Sequence, residues 1–289
     1  MLDVRRLRLL LELSRRGTIA AVAEALSYSP SAVSQQLSVL EKEAGTRLLE
    51  PFGRRVRLTP EGEVLVEHAA TILAELERAE AGLSAASGEV RGTLRIAAFQ
   101  SAMLTLLPDA LITLDHDHPD LRIESTEMEP EESLPMLQTG DFDLVLCEEY
   151  PGHPRAVPAG LERTDLIGDR LHLVVPEGWG QPALMDLTDA PFAMEPLGTN
   201  SRNWAQSICR TAGFEPDVRY TTSDLLVHLR MVERGLTAAL VPDLARPQEH
   251  RGVTVCELDG EPRRHVFAAT RIGAAKRPAI RVAIEALGG

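Results

Sequence analysis

Cysteine is scarce in this chain of 289 residues. The three present, Cys147, Cys209 and Cys256, are odd in number and far apart. That pattern excludes a secreted disulfide framework and gives no zinc-ligand spacing. None has a resolving partner nearby, and only Cys209, beside Arg210, has a basic neighbour, so inert thiols are expected. The chain is 44% hydrophobic but holds no run of about 18 apolar residues, and no membrane span is expected. The opening stretch, MLDVRRLRLLLELSRRG, is interrupted by Arg8, Glu12, Arg15 and Arg16 and is followed by no small-residue cleavage site. A secretory leader is therefore not expected, and a cytoplasmic location is. Catalytic signatures are missing as well. There is no His-Glu-x-x-His, phosphate-binding loop or Gly-x-Ser-x-Gly, so neither an enzyme nor a cofactor is expected. Asp115-His116-Asp117-His118, just ahead of Pro119, reads as an exposed helix end, not as a metal site.

Positive charge is short overall, and its distribution is uneven. The net charge is −13. Residues 1–59 carry 10 Lys+Arg against 6 Asp+Glu, a net of +4, while the remainder carries −17. A basic head on an acidic body presents only the head to a polyanion such as DNA.

What the head contains is a helical hairpin with a polar face. Val4, Leu7, Leu10 and Leu11 mark a first, bracing helix. Gly17 suits a left-handed C-cap, and Thr18 can cap a second helix from Ile19 to about Leu26. Ser29 and Pro30 fit the cap and first position of a third, which Gly45 ends. Val33, Leu37 and Leu40 form its apolar stripe. Its opposite face begins with Ser31, Ala32, Ser34, Gln35 and Gln36. Short hydroxyls and amides at a helix start suit a major groove, and they carry no negative charge. The segment GRRVRLT then sets Arg54, Arg55 and Arg57 on and beside a turn, a wing able to grip phosphates or a minor groove. From Thr59 and Pro60 to about Ala86 the pattern is one long helix. Leu65, Ile72, Leu76 and Leu83 follow a seven-residue rhythm, which predicts a partner helix. Ser84 to Gly92 reads as a hinge.

From Leu7 to Ala69 the sequence resembles the DNA-binding domain of LysR-type transcriptional regulators. The resemblance is carried by TIAAVAEAL, SPSAVSQQLSVLE, Gly45 and GRRVRLTPEG taken together. It implies a winged helix-turn-helix in residues 1–59, contacting double-stranded DNA through Thr18, Ser29, Ser31, Ala32, Ser34, Gln35, Gln36, Arg54 and Arg55. It also implies a linker helix and hinge in 60–90 that pairs two subunits, so that a homodimer or homotetramer meets a pseudo-palindromic operator. The chain departs from the family where an aromatic-x-Arg step is replaced by Leu49-Glu50-Pro51, which shifts phosphate contact toward Arg54 and Arg55.

After residue 91 strands alternate with helices, the pattern of an α/β body with parallel strands. TLRIAAF, LRIESTEME and FDLVLCEE read as strands. A helix is expected from Gln100 to Leu114 and a short one from Glu132 to Gln138. RLHLVVP, PFAMEP, DVRYTT, TAALVP, VTVCEL and HVFAATR are the strands of the second half. Helices are expected at Ser201 to Ala212, Asp224 to Gly235 and Arg277 to Leu287. GTLRIA, GDFDLVL, RLHLVVP and VERGLTAALVP resemble the LysR effector domain. That implies two lobes built like type 2 periplasmic binding proteins, lobe 1 from 91–161 with 268–289 and lobe 2 from 162–267. Ligands in such sheets sit at strand carboxyl ends. Gln100 and Ser101 open one helix there, and Thr199, Asn200 and Ser201 another. Each set also serves as helix caps; together on opposite lobes they favour a small, anionic effector. Thr222, Ser223 and Pro242 complete the expected wall, and the resemblance implies that all these positions line the inducer pocket. Two other readings stay open: a solute-binding or enzymatic α/β body with an appended helical domain, and a regulator that binds no metabolite.

Overall fold

The computed structural model describes residues 1–26, 28–53, 55–87 and 89–288. The chain divides into two compact units, 1–88 with 271–277, and 89–270 with 278–289.

The first unit opens with α1 (Val4–Arg16), α2 (Ile19–Ala25) and α3 (Pro30–Ala44). Their ends follow from local chemistry. Asp3 accepts from the Arg5 and Arg6 N–H groups, Thr18 from Ala21 and Ser29 from Ala32, which satisfies otherwise orphaned donors. Gly17 and Gly45 close α1 and α3 at φ +74° and +71°, where a Cβ would be strained. The apolar stripes meet in one core built on Leu7, Leu10, Val22, Val33, Leu37 and Leu40. The wing is a two-stranded ribbon of β1 (Leu49–Phe52) and β2 (Arg55–Leu58), with Phe52 opposite Arg55. Glu41 ties α3 to it by accepting from the Leu48 and Leu49 N–H groups at 2.9 and 3.1 Å.

The long α4 (Pro60–Ser87) follows, capped by Thr59, whose Oγ1 accepts from the Gly62 N–H. Gly62 lies against Leu48, the residue before β1, so closely that a Cβ there would stand 2.2 Å from the Leu48 carbonyl oxygen. The expected hinge at Ser84 to Gly92 is corrected over its first residues: the helix continues through Ser87. The Ser-Ala-Ala-Ser run is rich in alanine, the strongest helix former.

The second unit holds β3 (Gly92–Ala98), α5 (Gln100–Leu104), α6 (Leu106–Asp117), β4 (Leu121–Glu127), α7 (Pro130–Thr139), β5 (Leu144–Glu149) and β6 (Leu161–Pro176). It continues with β7 (Pro191–Met194), α8 (Asn200–Thr211), β8 (Asp217–Thr221), α9 (Leu225–Glu233), β9 (Ala238–Pro242), β10 (Val253–Cys256), β11 (Arg263–Arg271) and α10 (Pro278–Gly288). The strand order is β4-β3-β5-β11-β6-β9-β7-β8, with β10 on β6. β3 runs parallel to β4 and β5, and β7 parallel to β8 and β9, so each lobe has a parallel heart. The crossing strands β11 and β6 pair antiparallel with β5 and β9. β9 is buried along its whole length, as expected of a strand covered on both faces.

Two expectations change here. The helix expected from Gln100 to Leu114 is two helices, broken at Thr105. Pro108 lacks an N–H, and in a continuous helix its ring would meet the Leu104 carbonyl. The strand expected at RLHLVVP begins nine residues earlier, at Leu161. Its first half, with Glu162, Arg163 and Asp165, is a polar crossing segment without an apolar alternation to betray it. Among the described residues no helix is long and apolar enough to cross a membrane.

Candidate functional site

The polar face expected on α3 is at the surface. Ser31, Ser34 and Gln35 are exposed and Ala32 is half-buried. Gln36 is less free: its Oε1 accepts from Arg6 Nε at 2.9 Å, and Arg6 also pairs with Glu43 at 2.5 Å. Thr18 and Ser29 are occupied as helix caps, at the two helix starts where backbone N–H groups point outward. On the wing Arg55 is exposed, whereas Arg57 pairs with Glu50 at 2.5 Å and lies 5.2 Å over the Phe52 ring. Arg54 lies outside the described residues. Glu50, within the Leu49-Glu50-Pro51 step, and Phe52 beside it thus hold one wing arginine in place.

Along α4, Ile72, Leu76 and Leu83 are exposed. Leu65 is different: it packs half-buried on the head's own core beside Ala69. Val64, which the rhythm did not include, is 57% exposed.

In the second unit, a cavity of about 30 Å³ opens between the lobes at the carboxyl ends of the parallel strands. Gln100, Ser101, Thr199, Ser201 and Ser223 line it, as the sequence suggested. Asn200, Thr222 and Pro242 do not. Asn200 Nδ2 donates to the His153 carbonyl, Thr222 Oγ1 accepts from the Asp224 N–H, and Pro242 pairs with Leu171 inside the sheet. Gln100 bridges the lobes: its Nε2 donates to Asp224 Oδ1, and its Oε1 accepts from the Leu225 N–H, both at 2.7 Å. Thr199 caps α8, and Ser201 donates to Thr199 Oγ1 at 3.1 Å.

The rest of the lining was not foreseen. It includes Glu129, Glu148, Glu195 and Arg264. Arg264, on β11, is fully buried. It donates to Asp169 at 2.8 Å, to Ser101 Oγ at 2.6 Å and to the Tyr150 hydroxyl at 3.3 Å. Arg155 pairs with Glu148 at 3.2 Å and Glu131 at 3.0 Å. Burial, reinforced by Glu148, Glu131 and Glu195, pushes Glu129 up to about 8. Burial likewise pushes Glu148 up to about 7, with Arg155 and Arg264 pulling the other way. No local motif marks these residues, because they come from four separate strand ends.

The thiols are enclosed. Cys147, Cys209 and Cys256 are free and buried. Burial raises all three, Cys209 to about 12. Among the described residues no three His, Cys, Asp or Glu groups are placed to hold a metal.

Two family models cover almost the whole chain. Residues 4–63 match the bacterial regulatory helix-turn-helix protein, lysR family, and residues 87–289 match the LysR substrate binding domain. The chain belongs to the LysR family of transcriptional regulators. It is 30% identical over 253 residues to a probable hydrogen peroxide-inducible genes activator of Mycobacterium avium, covering 84% of this chain and 78% of that protein. It is 27% identical over 284 residues to the transcriptional regulator MetR of Escherichia coli K12, covering 96% and 87%. Among solved structures, the full-length OxyR variant of Pseudomonas aeruginosa matches with a TM-score of 0.71 at 21% identity, covering 99% and 95%. Full-length CbnR complexed with its target DNA matches with a TM-score of 0.57 at 22% identity, covering 99% of each chain. As in other LysR regulators, a helix-turn-helix head is thus joined to an α/β effector domain of periplasmic-binding-protein type.

Proposed function

We propose that this LysR regulator works in the cytoplasm without catalytic activity, reading a pseudo-palindromic operator through α3 and its wing. The observation that carries the reading is the uncharged start of α3, where Ser31, Ser34 and Gln35 stand exposed beside an exposed Arg55. Ser31, Ala32, Ser34 and Gln35 face base edges and nearby phosphates, with Gln36 set beside them by Arg6. Arg55 and Arg54 hold the backbone. The exposed Ile72, Leu76 and Leu83 are the seam on which two α4 helices pair, so that two heads meet two half-sites.

A small effector enters the cleft between the lobes and acts by changing their arrangement. Thr199 and Ser201 open the 12-residue α8, whose positive end suits an acidic group of that molecule. Gln100, Ser101 and Ser223 supply further hydrogen bonds. The cavity of about 30 Å³ admits one or two water-sized groups, so larger effectors require the lobes to part.

The test is binding of the purified full-length protein across its genome. Enrichment at a few dyad-symmetric sites, lost at high salt, is the expected result. Uniform binding regardless of sequence would overturn the assignment of α3 as a reader.

A further inference from the structure

We propose that the effector carries a protonated amine, seated against Glu129, Glu148 and Glu195 at the strand ends of the cleft. This rests on the reading of that cleft as the effector site, and it names the chemistry the site selects.

The first observation is the charge of the lining. Three glutamates and one arginine face the cavity. The arginine is already matched: Arg264 is held by Asp169 at 2.7–2.8 Å and has hydroxyl acceptors on its other nitrogens. Its charge is therefore balanced within the protein. Arg155 is divided between Glu148 and Glu131. Arg202, on α8, donates to the Glu195 carbonyl oxygen, a backbone atom. Among the described residues neither Glu129 nor Glu195 forms an ion pair. Even with the buried Arg202, whose Nε is unpartnered, the five carboxyls of Glu129, Glu131, Glu148, Asp169 and Glu195 outnumber the three arginines Arg155, Arg202 and Arg264.

The second observation is an unmet acceptor. The Glu148 side chain is only 6% exposed, and its Oε2 is buried with no hydrogen-bond partner. Buried carboxylate oxygens are almost always bonded, because leaving water without a replacement is costly. Here the unmet oxygen belongs to a residue that lines the cavity. A donor arriving with the ligand satisfies it. An ammonium brings three donors and a full charge, which makes charge-assisted bonds of about twice the neutral strength.

Burial is the largest cause of the elevated values of Glu129 and Glu148, and the arginines nearby offset it only in part, so an ammonium brought by the ligand favours the ionised form of both. A bare metal ion is disfavoured, since no three ligating groups are suitably placed among the described residues. The cavity of about 30 Å³ suits a head of ammonium size. The hydroxyl-lined start of α8, on the same lobe as Glu195, accommodates a carboxylate if the molecule has one, so amino acids and short diamines both suit the cleft once the lobes part.

The experiment uses full-length protein and four probes: putrescine and L-lysine, which bear amines, and adipate and benzoate, which do not. Each is titrated by calorimetry and by thermal shift. The amines are expected to bind and raise the melting temperature, and the amine-free acids to do neither. Glu148→Gln and Glu195→Gln should each weaken amine binding at least tenfold. The half-buried Glu195 supplies a second variant should Glu148→Gln fail to fold, which its melting curve without probe reveals. Binding of the acids but not the amines would overturn the amine assignment and leave the cleft as the effector site. Binding of none of the four would overturn the amine assignment and count against an effector in this cleft. Amine binding undiminished in both variants would overturn the assignment to these glutamates.

Discussion

Gln100 and Asp224 join the two lobes across the cleft. The amide nitrogen of Gln100 donates to Asp224 Oδ1, and its amide oxygen accepts from the Leu225 N–H, both at 2.7 Å. Asp224 is also the N-cap of α9, accepting from the Leu226 N–H at 2.9 Å. One side chain from lobe 1 therefore completes the cap of a helix in lobe 2, and Asp224 is held below its ordinary value chiefly by that bond. Any ligand that parts the lobes has to break it.

Replacing Gln100 by alanine removes two hydrogen bonds, and water compensates in part because Gln100 is only half-buried. The expected loss is about 1–2 kcal/mol, with the melting temperature falling by about 2–4 °C per kcal/mol in a body of this size. Calorimetric melting of the variant checks this. An unchanged melting temperature would mean that the bridge contributes nothing in solution.

Glu129 and Glu148 give stability a definite pH dependence. Their ordinary value is 4.5, and in the folded protein they lie near 8 and 7. Between those limits the folded state holds more protons than the unfolded state. Stability contributed by their protonation is present at low pH and lost as pH rises through 7 and 8. The melting temperature of wild type should fall from pH 5.5 to pH 8.5. Glu129→Gln, which cannot ionise, should flatten that fall and be the more stable of the two at pH 8.5. A wild-type curve rising over this range, unaltered by the substitution, would contradict the burial argument.

Gln35 and Arg55 should behave differently toward DNA. Gln35→Ala should alter preference at one operator position by about 1–3 kcal/mol. Arg55→Ala should weaken binding to all sequences and reduce the salt slope by about one unit. Titrations against the operator, single-base variants and unrelated DNA at several salt concentrations separate the two effects. A sequence-specific effect of Arg55 with a uniform effect of Gln35 would reverse their roles.

The relative from Mycobacterium avium is named for hydrogen peroxide, and the thiols here argue for a different signal. The thiolate is the reactive form, and burial holds Cys147, Cys209 and Cys256 in the protonated form. Exposure of the folded protein to hydrogen peroxide should add no oxygen to any of the three, as read by mass spectrometry of cysteine peptides, and should leave operator affinity unchanged. A sulfenic acid or disulfide formed without unfolding would refute this.

The head of the molecule was legible in its sequence because its structure is set by near neighbours. Caps at Thr18 and Ser29, glycines at the left-handed ends of α1 and α3, and 3–4 spacing of leucines each act within a few residues. The alternation of strands and helices announced the α/β body for the same reason. The sequence also placed Gln100, Ser101, Thr199, Ser201 and Ser223 at the cavity, since helix starts after strands point to the carboxyl edge of a sheet. What it did not disclose was how each side chain is engaged. Gln36 is drawn to Arg6, Leu65 turns into the head's core, and Gln100 reaches across to Asp224. Glu129, Glu148, Glu195 and Arg264 lie on segments up to 135 residues apart and form no motif. Only the strand order, with β11 and β6 crossing between the lobes, brings them to one cavity. Their shared burial then decides its chemistry, because desolvation and mutual repulsion depend on distance in space and not on spacing along the chain.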